Sequence, residues 1–173
     1  MTRKLLQEIA GQYHGDLGGI HGVSHWARVL ENGRRLAAGT AADPRVCDLF
    51  AVFHDACRRN DGVDHGHGRR GAELARRWRG ILFELDDQAM ALLADACERH
   101  TDGVTAAPLT VQICWDADRL DLLRCGIRPR PEKLATAAAR QPALLRWACE
   151  RAAAHADGEI LTTRWRPWLD GAR

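Results

Sequence analysis

The amino-acid sequence predicts an all-α fold in a single domain. Apolar residues recur at the helical spacing of three and four along most of the chain, and glycine or proline separates the segments that show it. Only residues 109–115 carry a run of β-branched and aromatic side chains, and this run continues directly into a charged segment with helical spacing. Since 173 residues with 46% hydrophobic content suffice for one buried core, no second domain is needed.

Turn and capping signals place the helices in order along the chain. Asp43 followed by Pro44 is an N-cap with proline at the first helical position, and the pair Asp86-Asp87 begins a later helix. The polar residues 58–66 form a loop between two helices. The expected helices span residues 3–13, 23–38, 43–57, 67–78, 86–100, 109–126, 131–140 and 142–156.

These helices predict one domain over residues 1–173. Its functional motifs lie within about 20–126, and the C-terminal helices at 131–156 pack on that core. A basic and aromatic tail follows, and it contains Trp165 and Trp168.

Charge and cysteine usage exclude several classes of protein. The 25 basic and 23 acidic residues leave a formal net charge of +2, so charge alone implies no nucleic-acid partner. Six cysteines without a C-x-x-C pair disfavour a zinc ribbon and are typical of buried thiols in a reducing compartment. The chain starts with charged residues where a signal peptide needs an apolar run, and no stretch reaches the ~20 apolar residues of a membrane span. We expect a cytoplasmic protein.

Five of the expected helices each carry one imidazole or carboxylate on the apolar face, which helical spacing of three and four defines. These residues are His25, His54, His67, His100 and Asp118. Burying one such group without a partner costs roughly 2–7 kcal/mol. A shared divalent metal would satisfy all five, and imidazole with carboxylate suits iron, manganese, zinc or nickel better than calcium.

Two neighbouring residues compete for ligand positions in this pattern. His65 lies two residues before His67, and Asp116 lies two residues before Asp118, so a helix turns each pair about 200° apart. We prefer His67 and Asp118, which lie on apolar stripes. Taken alone, His67 or His100 is equally well explained as a core histidine with a satisfied hydrogen bond.

The order of these motifs resembles the HD-domain superfamily of metal-dependent phosphohydrolases. The run His25-Trp26-Ala27-Arg28-Val29, the pair His54-Asp55 and the run Ala117-Asp118-Arg119-Leu120 are similar to its ordered His, His-Asp and Asp. The resemblance covers about residues 20–126 and implies an HD-type helical bundle. His67, at the start of H-G-R-R-G-A-E-L-A, and His100 look like the additional histidines of the two-metal branch.

The resemblance implies a binuclear site with six ligands and with Asp55 as the bridge. The implied metal ligands are His25, His54, Asp55, His67, His100 and Asp118. The implied cofactor is one or two divalent transition ions, of manganese, iron, nickel, cobalt or zinc. The implied reaction is hydrolysis of a nucleotide or other small phosphoester by a metal-activated water.

Other residues near the motifs are candidates for roles in that reaction. Arg58 follows the His-Asp pair and is a candidate phosphate contact, since a guanidinium binds phosphate bidentately. His21, one turn before His25, could orient the water, donate to the leaving oxygen or cap the helix. Asp121 could accept a hydrogen bond from a ligating histidine or form a surface pair with Arg124 or Arg128. Residues 60–66 form a candidate lid.

Two further functions fit the same residues. Some proteins of HD-type fold hold two irons in a similar ligand set and cleave their substrates with oxygen. Alternatively, the chain is a non-catalytic regulatory domain that a metal stabilises. Its aromatic tail would then be a partner surface, although packing of the tail onto the core is the simpler interpretation.

Overall fold

The computed structural model describes residues 1–170, which form eight α-helices and, within that range, no β-strand. The all-α prediction is therefore confirmed. The helices are α1 Arg3–Gln12, α2 Val23–Ala37, α3 Pro44–Phe53, α4 His67–Trp78, α5 Asp87–Arg99, α6 Leu109–Arg119, α7 Pro142–Ala153 and α8 Arg166–Asp170. Short 3-10 turns span Leu122–Cys125 and Pro131–Lys133, and a π-helical turn spans Leu161–Trp165.

Side-chain caps begin two of the helices that form the core. The carboxylate of Asp43 accepts the backbone N–H of Arg45 at the start of α3, where Pro44 occupies the first position. Asp86 accepts the N–H of Ala89 and begins α5. Both carboxylates also lie at the positive end of a helix dipole, which favours their charge.

The core lies between α2, α3, α5 and α6, and α4 packs on α5 and α3. Trp26 and Phe50 are fully buried there, together with Trp115, whose indole N–H donates to the carbonyl of Ala96 in α5. Trp165 is also buried, so this part of the tail packs on the core. Within residues 1–170, no helix combines the length and the apolar character that a membrane crossing requires.

The helix expected over residues 131–140 is wrong. After the 3-10 turn Pro131–Lys133 the backbone forms turns, and the buried carboxylate of Asp116 holds them. It accepts the backbone N–H groups of Ala135 and Thr136 and the hydroxyl of Thr136, each at 2.7 Å. Of the expected C-terminal helices at 131–156, therefore, only α7 forms.

Three helix ends also differ from the expected bounds by three residues or more. The helix expected to reach residue 57 ends at Phe53, and the one expected to reach residue 126 ends at Arg119. α7 ends at Ala153 rather than at residue 156. The earlier ends of α3 and α6 matter most for the site. The residues that follow them, His54 and Asp55 after α3 and Asp121 after α6, are buried in the same part of the interior.

Candidate metal centre

Five helices bring the six implied ligands together at one buried point. Three of these side chains come from helix ends, because His54 and His100 are the C-terminal caps of α3 and α5 and His67 is the first residue of α4. His25 lies in the first turn of α2 and Asp118 in the last turn of α6. The donor atoms of the six residues fall into two groups of three, and within each group they lie within 4.8 Å of one another.

One group consists of His25, His54 and Asp118. The Nε2 atoms of His25 and His54 are 3.1 Å apart. Asp118 Oδ1 lies 3.4 Å from Nε2 of His25 and 3.9 Å from Nε2 of His54. All three side chains present their donor atoms to the same small volume.

A second group consists of Asp55, His67 and His100. The Nε2 atoms of His67 and His100 are 2.9 Å apart, and Asp55 Oδ1 lies 3.2 and 3.8 Å from them. Asp55 Oδ2 faces the first group, at 3.6 Å from His25 Nε2 and 3.5 Å from His54 Nε2. The carboxylate of Asp55 therefore lies between the two groups.

The Nδ1 atom of each of these four histidines is already hydrogen-bonded to an oxygen. The acceptors are Asp121 Oδ2 for His25 (2.8 Å), and the carbonyls of Phe50 for His54 (3.0 Å), Asp64 for His67 (2.6 Å) and Cys97 for His100 (2.7 Å). An oxygen of this kind accepts, so each Nδ1 carries the proton and each Nε2 offers a lone pair. The lone pairs of His25 and His54 therefore face each other across about 3 Å, and so do those of His67 and His100. Such an approach is unfavourable without a cation between the two nitrogen atoms.

This donor set fits a divalent transition metal. Two nitrogen ligands at about 2.0–2.1 Å from one ion lie about 3 Å apart, as both Nε2 pairs do. Asp55 Oδ1 is buried and has no hydrogen-bond partner within the described residues. An orphaned carboxylate oxygen beside unprotonated imidazole nitrogens is explained by a bound cation.

Burial sets the protonation of the imidazoles. It lowers the pKa of His100 to about 4, and burial together with the charge of Arg124 lowers the pKa of His25 to about 4. Burial acts in the same direction on His67, but the carboxylate of Asp55 outweighs it and raises the pKa of His67. At neutral pH, His25 and His100 are therefore in the neutral form that binds metals.

Neighbouring imidazoles and a guanidinium keep the carboxylates ionised. Burial opposes the ionisation of Asp118, but the nearby imidazole of His54 and the charge of Arg124 outweigh it and lower the pKa of Asp118 to about 2. The pKa of Asp55 is held well below its usual range, because the neighbouring imidazole of His54 and the hydrogen bond from His21 outweigh burial. Both carboxylates are therefore in the form that binds metals.

The structure separates the competing residues of the sequence pattern. His65 is exposed and lies outside the cluster, whereas His67 lies within it. The carboxylate of Asp116 is used by the backbone of residues 135–136, and Asp118 faces the histidines instead. The geometry thus agrees with the preference for His67 and Asp118, whose role as ligands stays a prediction.

The structure places both further catalytic candidates, His21 and Arg58, beside Asp55. His21 Nδ1 lies 2.9 Å from Asp55 Oδ2. Arg58 Nη1 lies 3.5 Å from Asp55 Oδ1 and 3.3 Å from His67 Nε2. A groove of about 580 Å³ opens beside Arg58, lined by this residue with residues 62–69, Glu98, Thr101 and Asp102.

Two residues near the centre escaped the sequence analysis as site residues. Arg124 is buried with its Nη2 atom 3.2 Å from His21 Nδ1, although the sequence indicated only a surface charge. Tyr13 donates from its hydroxyl to the carbonyl of His21, and burial and the charge of Asp55 raise the pKa of Tyr13 to about 12. Only their packing against distant residues reveals them, because neither lies in a motif.

Comparisons with known proteins agree with this arrangement. The sequence model of the HD domain matches residues 22–123, which is more than half of the chain. The crystal structure of a predicted HD superfamily hydrolase from an uncultured Thermotogales bacterium is similar, with a TM-score of 0.63 and 26% sequence identity. The similarity covers 95% of this chain and 92% of that one. No curated protein sequence matches the chain.

Proposed function

Since the chain belongs to the HD-domain family of metal-dependent hydrolases, we propose that it hydrolyses a nucleotide or other small phosphoester. The observation that carries this proposal is the pair of facing imidazoles on each side of the Asp55 carboxylate. That donor set suits two transition ions with Asp55 as a shared ligand. One or two such ions would supply an activated water and positive charge beside the phosphoryl oxygens.

His21 is placed to move a proton at this centre. Its Nδ1 atom lies 2.9 Å from Asp55 Oδ2, and a carboxylate only accepts, so Nδ1 carries a proton. Within residues 1–170, Nε2 of His21 has no hydrogen-bond partner. In our proposal His21 takes the proton of the attacking water at Nε2, while Asp55 orients the ring.

Arg58 carries positive charge at the mouth of the centre. Its side chain is held by the carbonyls of Asn60, at 3.2 Å, and Gly62, at 2.7 Å. This anchoring places the guanidinium beside the groove and beside His67. We propose that Arg58 binds the substrate's phosphate there and neutralises its charge. The phosphate oxygen would approach Nη1, because Nε and Nη2 already donate to carbonyls.

A metal-dependent activity screen tests the proposed function. Nucleotides and aryl phosphates are incubated with protein reconstituted with manganese, nickel, cobalt or iron, and released phosphate and pyrophosphate are measured. We expect turnover that falls to background in Asp55→Ala and His54→Ala proteins that remain folded. The matched control is His14→Ala, which removes an exposed imidazole outside both the cluster and the groove.

Two results would contradict the proposal. Absence of turnover with every metal and substrate class would reject phosphoester hydrolysis. Oxygen uptake by an iron-loaded protein that releases no phosphate would favour the di-iron oxygenase instead, because the implied ligands are shared between the two chemistries.

A further inference from the structure

Arg124 has a buried guanidinium that the proposed reaction does not yet use. Its side chain, on the 3-10 turn Leu122–Cys125, is only 4% exposed. The nearest carboxylate oxygens are those of Asp121, at 3.8 Å, and Asp118, at 3.9 Å, and both are beyond hydrogen-bond distance. The charge therefore lies beside the candidate centre without a direct ionic hydrogen bond.

Two of the three nitrogen atoms of Arg124 have backbone acceptors. Nε donates to the carbonyl of Ile20 at 2.7 Å, and Nη1 donates to the carbonyl of Asp121 at 3.3 Å. Within residues 1–170, Nη2 has a single polar neighbour at hydrogen-bond distance, which is His21 Nδ1 at 3.2 Å. Whether Nη2 is satisfied depends on whether that ring nitrogen accepts.

His21 Nδ1 does not accept from Arg124. The same atom is 2.9 Å from the carboxylate of Asp55, which requires a proton on Nδ1. Were Nδ1 unprotonated and bound to a cation with His25 and Asp55, its lone pair would be used as well. In either arrangement Nη2 is a buried cationic donor without an acceptor, and such a group requires a partner.

Two of the other buried arginines, Arg28 and Arg119, do not share this feature. Arg28 donates to Asp121 and to the carbonyl of Ala156, and Arg119 donates to the carbonyls of Lys133 and Val104. Arg58 donates to two carbonyls of its own loop through Nε and Nη2, and its Nη1 atom lies 3.3 Å from Nε2 of His67, a candidate metal ligand. Among the arginines buried within residues 1–170, Arg124 and Arg58 therefore each have one terminal nitrogen without a usable acceptor, and both lie beside the candidate centre.

We infer that Arg124 Nη2 binds an oxygen of the substrate's phosphoryl group on the side of the centre where His21 and Asp118 lie. This inference rests on the proposed function, and it adds a phosphate contact opposite Arg58. A phosphoryl oxygen accepts charge-assisted hydrogen bonds from a guanidinium and would supply the acceptor that Nη2 lacks. The backbone bonds of Nε and Nη1 hold the guanidinium in place beforehand.

Binding of inorganic phosphate to the manganese-loaded protein tests this role without turnover. Calorimetry is carried out on wild type, Arg124→Lys and Arg124→Gln, after circular dichroism and manganese content have confirmed folding and loading. We expect the dissociation constant to rise at least about tenfold in both variants, because a charged hydrogen bond is lost. Arg119→Lys is the matched control, since Arg119 is equally buried and also donates to two backbone carbonyls.

Unchanged phosphate affinity in folded Arg124 variants would overturn the inference, and so would an equal loss in Arg119→Lys. If neither Arg124 variant folds, side-chain NMR of the zinc-loaded wild type decides. A phosphate-induced shift at Arg124 Nε that exceeds the shift at Arg119 Nε supports the contact, and absence of that difference rejects it.

Reduced phosphate affinity without any turnover would leave this contact standing and reject the proposed hydrolysis. Turnover with unchanged phosphate affinity would support the proposed hydrolysis and reject the Arg124 contact.

Discussion

At the scale of single residues, the orientation of each candidate histidine ligand depends on the hydrogen bond that its Nδ1 atom donates. For His25 the acceptor is the carboxylate of Asp121, which also accepts from Nε and Nη2 of Arg28. The sequence left Asp121 open between this role and a surface charge, because the choice depends on where α6 ends. α6 ends at Arg119, and the following turn buries Asp121.

Substituting Asp121 with asparagine should weaken metal binding. The amide still offers an oxygen to His25, but it loses the charge and directs N–H groups at Arg28. Loss of such an outer partner typically lowers metal affinity about 10–100-fold. Calorimetric titration with manganese measures the change, and Asp95→Asn serves as control because Asp95 forms only a partly exposed pair with Arg99. Equal affinities for both variants would refute the orienting role.

At the scale of secondary-structure elements, close contacts of α4 place His67 beside His100. A Cβ atom on Gly68 would lie 2.1 Å from the carbonyl of Cys97 and 2.9 Å from the ring of His100. A Cβ on Gly71 would lie 2.1 Å from the carbonyl of Phe53. Both glycines let α4 approach the ends of α5 and α3, where the candidate ligands lie.

Gly68→Ala should therefore displace His100 from His67 and weaken binding of one ion. We expect about one ion fewer per chain in Gly68→Ala, together with a lower free energy of unfolding, because the contacted atoms are backbone and a buried ring. Metal analysis after dialysis and urea denaturation measure the two effects. Gly11→Ala is the control, since nothing lies within 4 Å of its added Cβ. Full occupancy in Gly68→Ala would show that the approach of α4 is not required.

Sequence reasoning located elements best where their signals were local. The cap Asp43 with Pro44 and the histidines on apolar stripes depend on neighbouring residues, and both predictions agree with the structure. The prolines near residue 131 looked like a helix start, but residues 135–136 are bound by the distant carboxylate of Asp116. That contact depends on tertiary packing, as does the position of Arg124, and neither has a signal in the local sequence.

At the scale of the whole molecule, the centre connects the ends of five helices, α2 to α6, through polar groups in the core. Two buried imidazoles among these groups favour folding only in the neutral form, because burial disfavours their charged form. For His25 and His100, burial lowers the pKa to about 4 from an ordinary 6.5, so the unfolded chain takes up protons at a higher pH than the folded one does.

The metal-free protein should therefore lose stability as the pH falls from about 6.5 to 4. Each unit by which the pKa is lowered is equivalent to about 1.4 kcal/mol for each imidazole. The raised pKa of His67 does not oppose this, because its contribution is already complete below 6.5 and decreases only at higher pH. Urea denaturation of chelator-treated protein at pH 7 and pH 5 measures the difference. Equal or greater stability at pH 5 would contradict the assigned protonation.

The metal content of protein purified without chelators tests the central claim most directly. The account predicts two transition-metal ions per chain, about one in His67→Ala or His100→Ala, and fewer than one in Asp55→Ala, because Asp55 alone among the six implied ligands faces both groups of donors. Wild-type protein that binds no transition metal, or an unchanged metal content in Asp55→Ala, would contradict it.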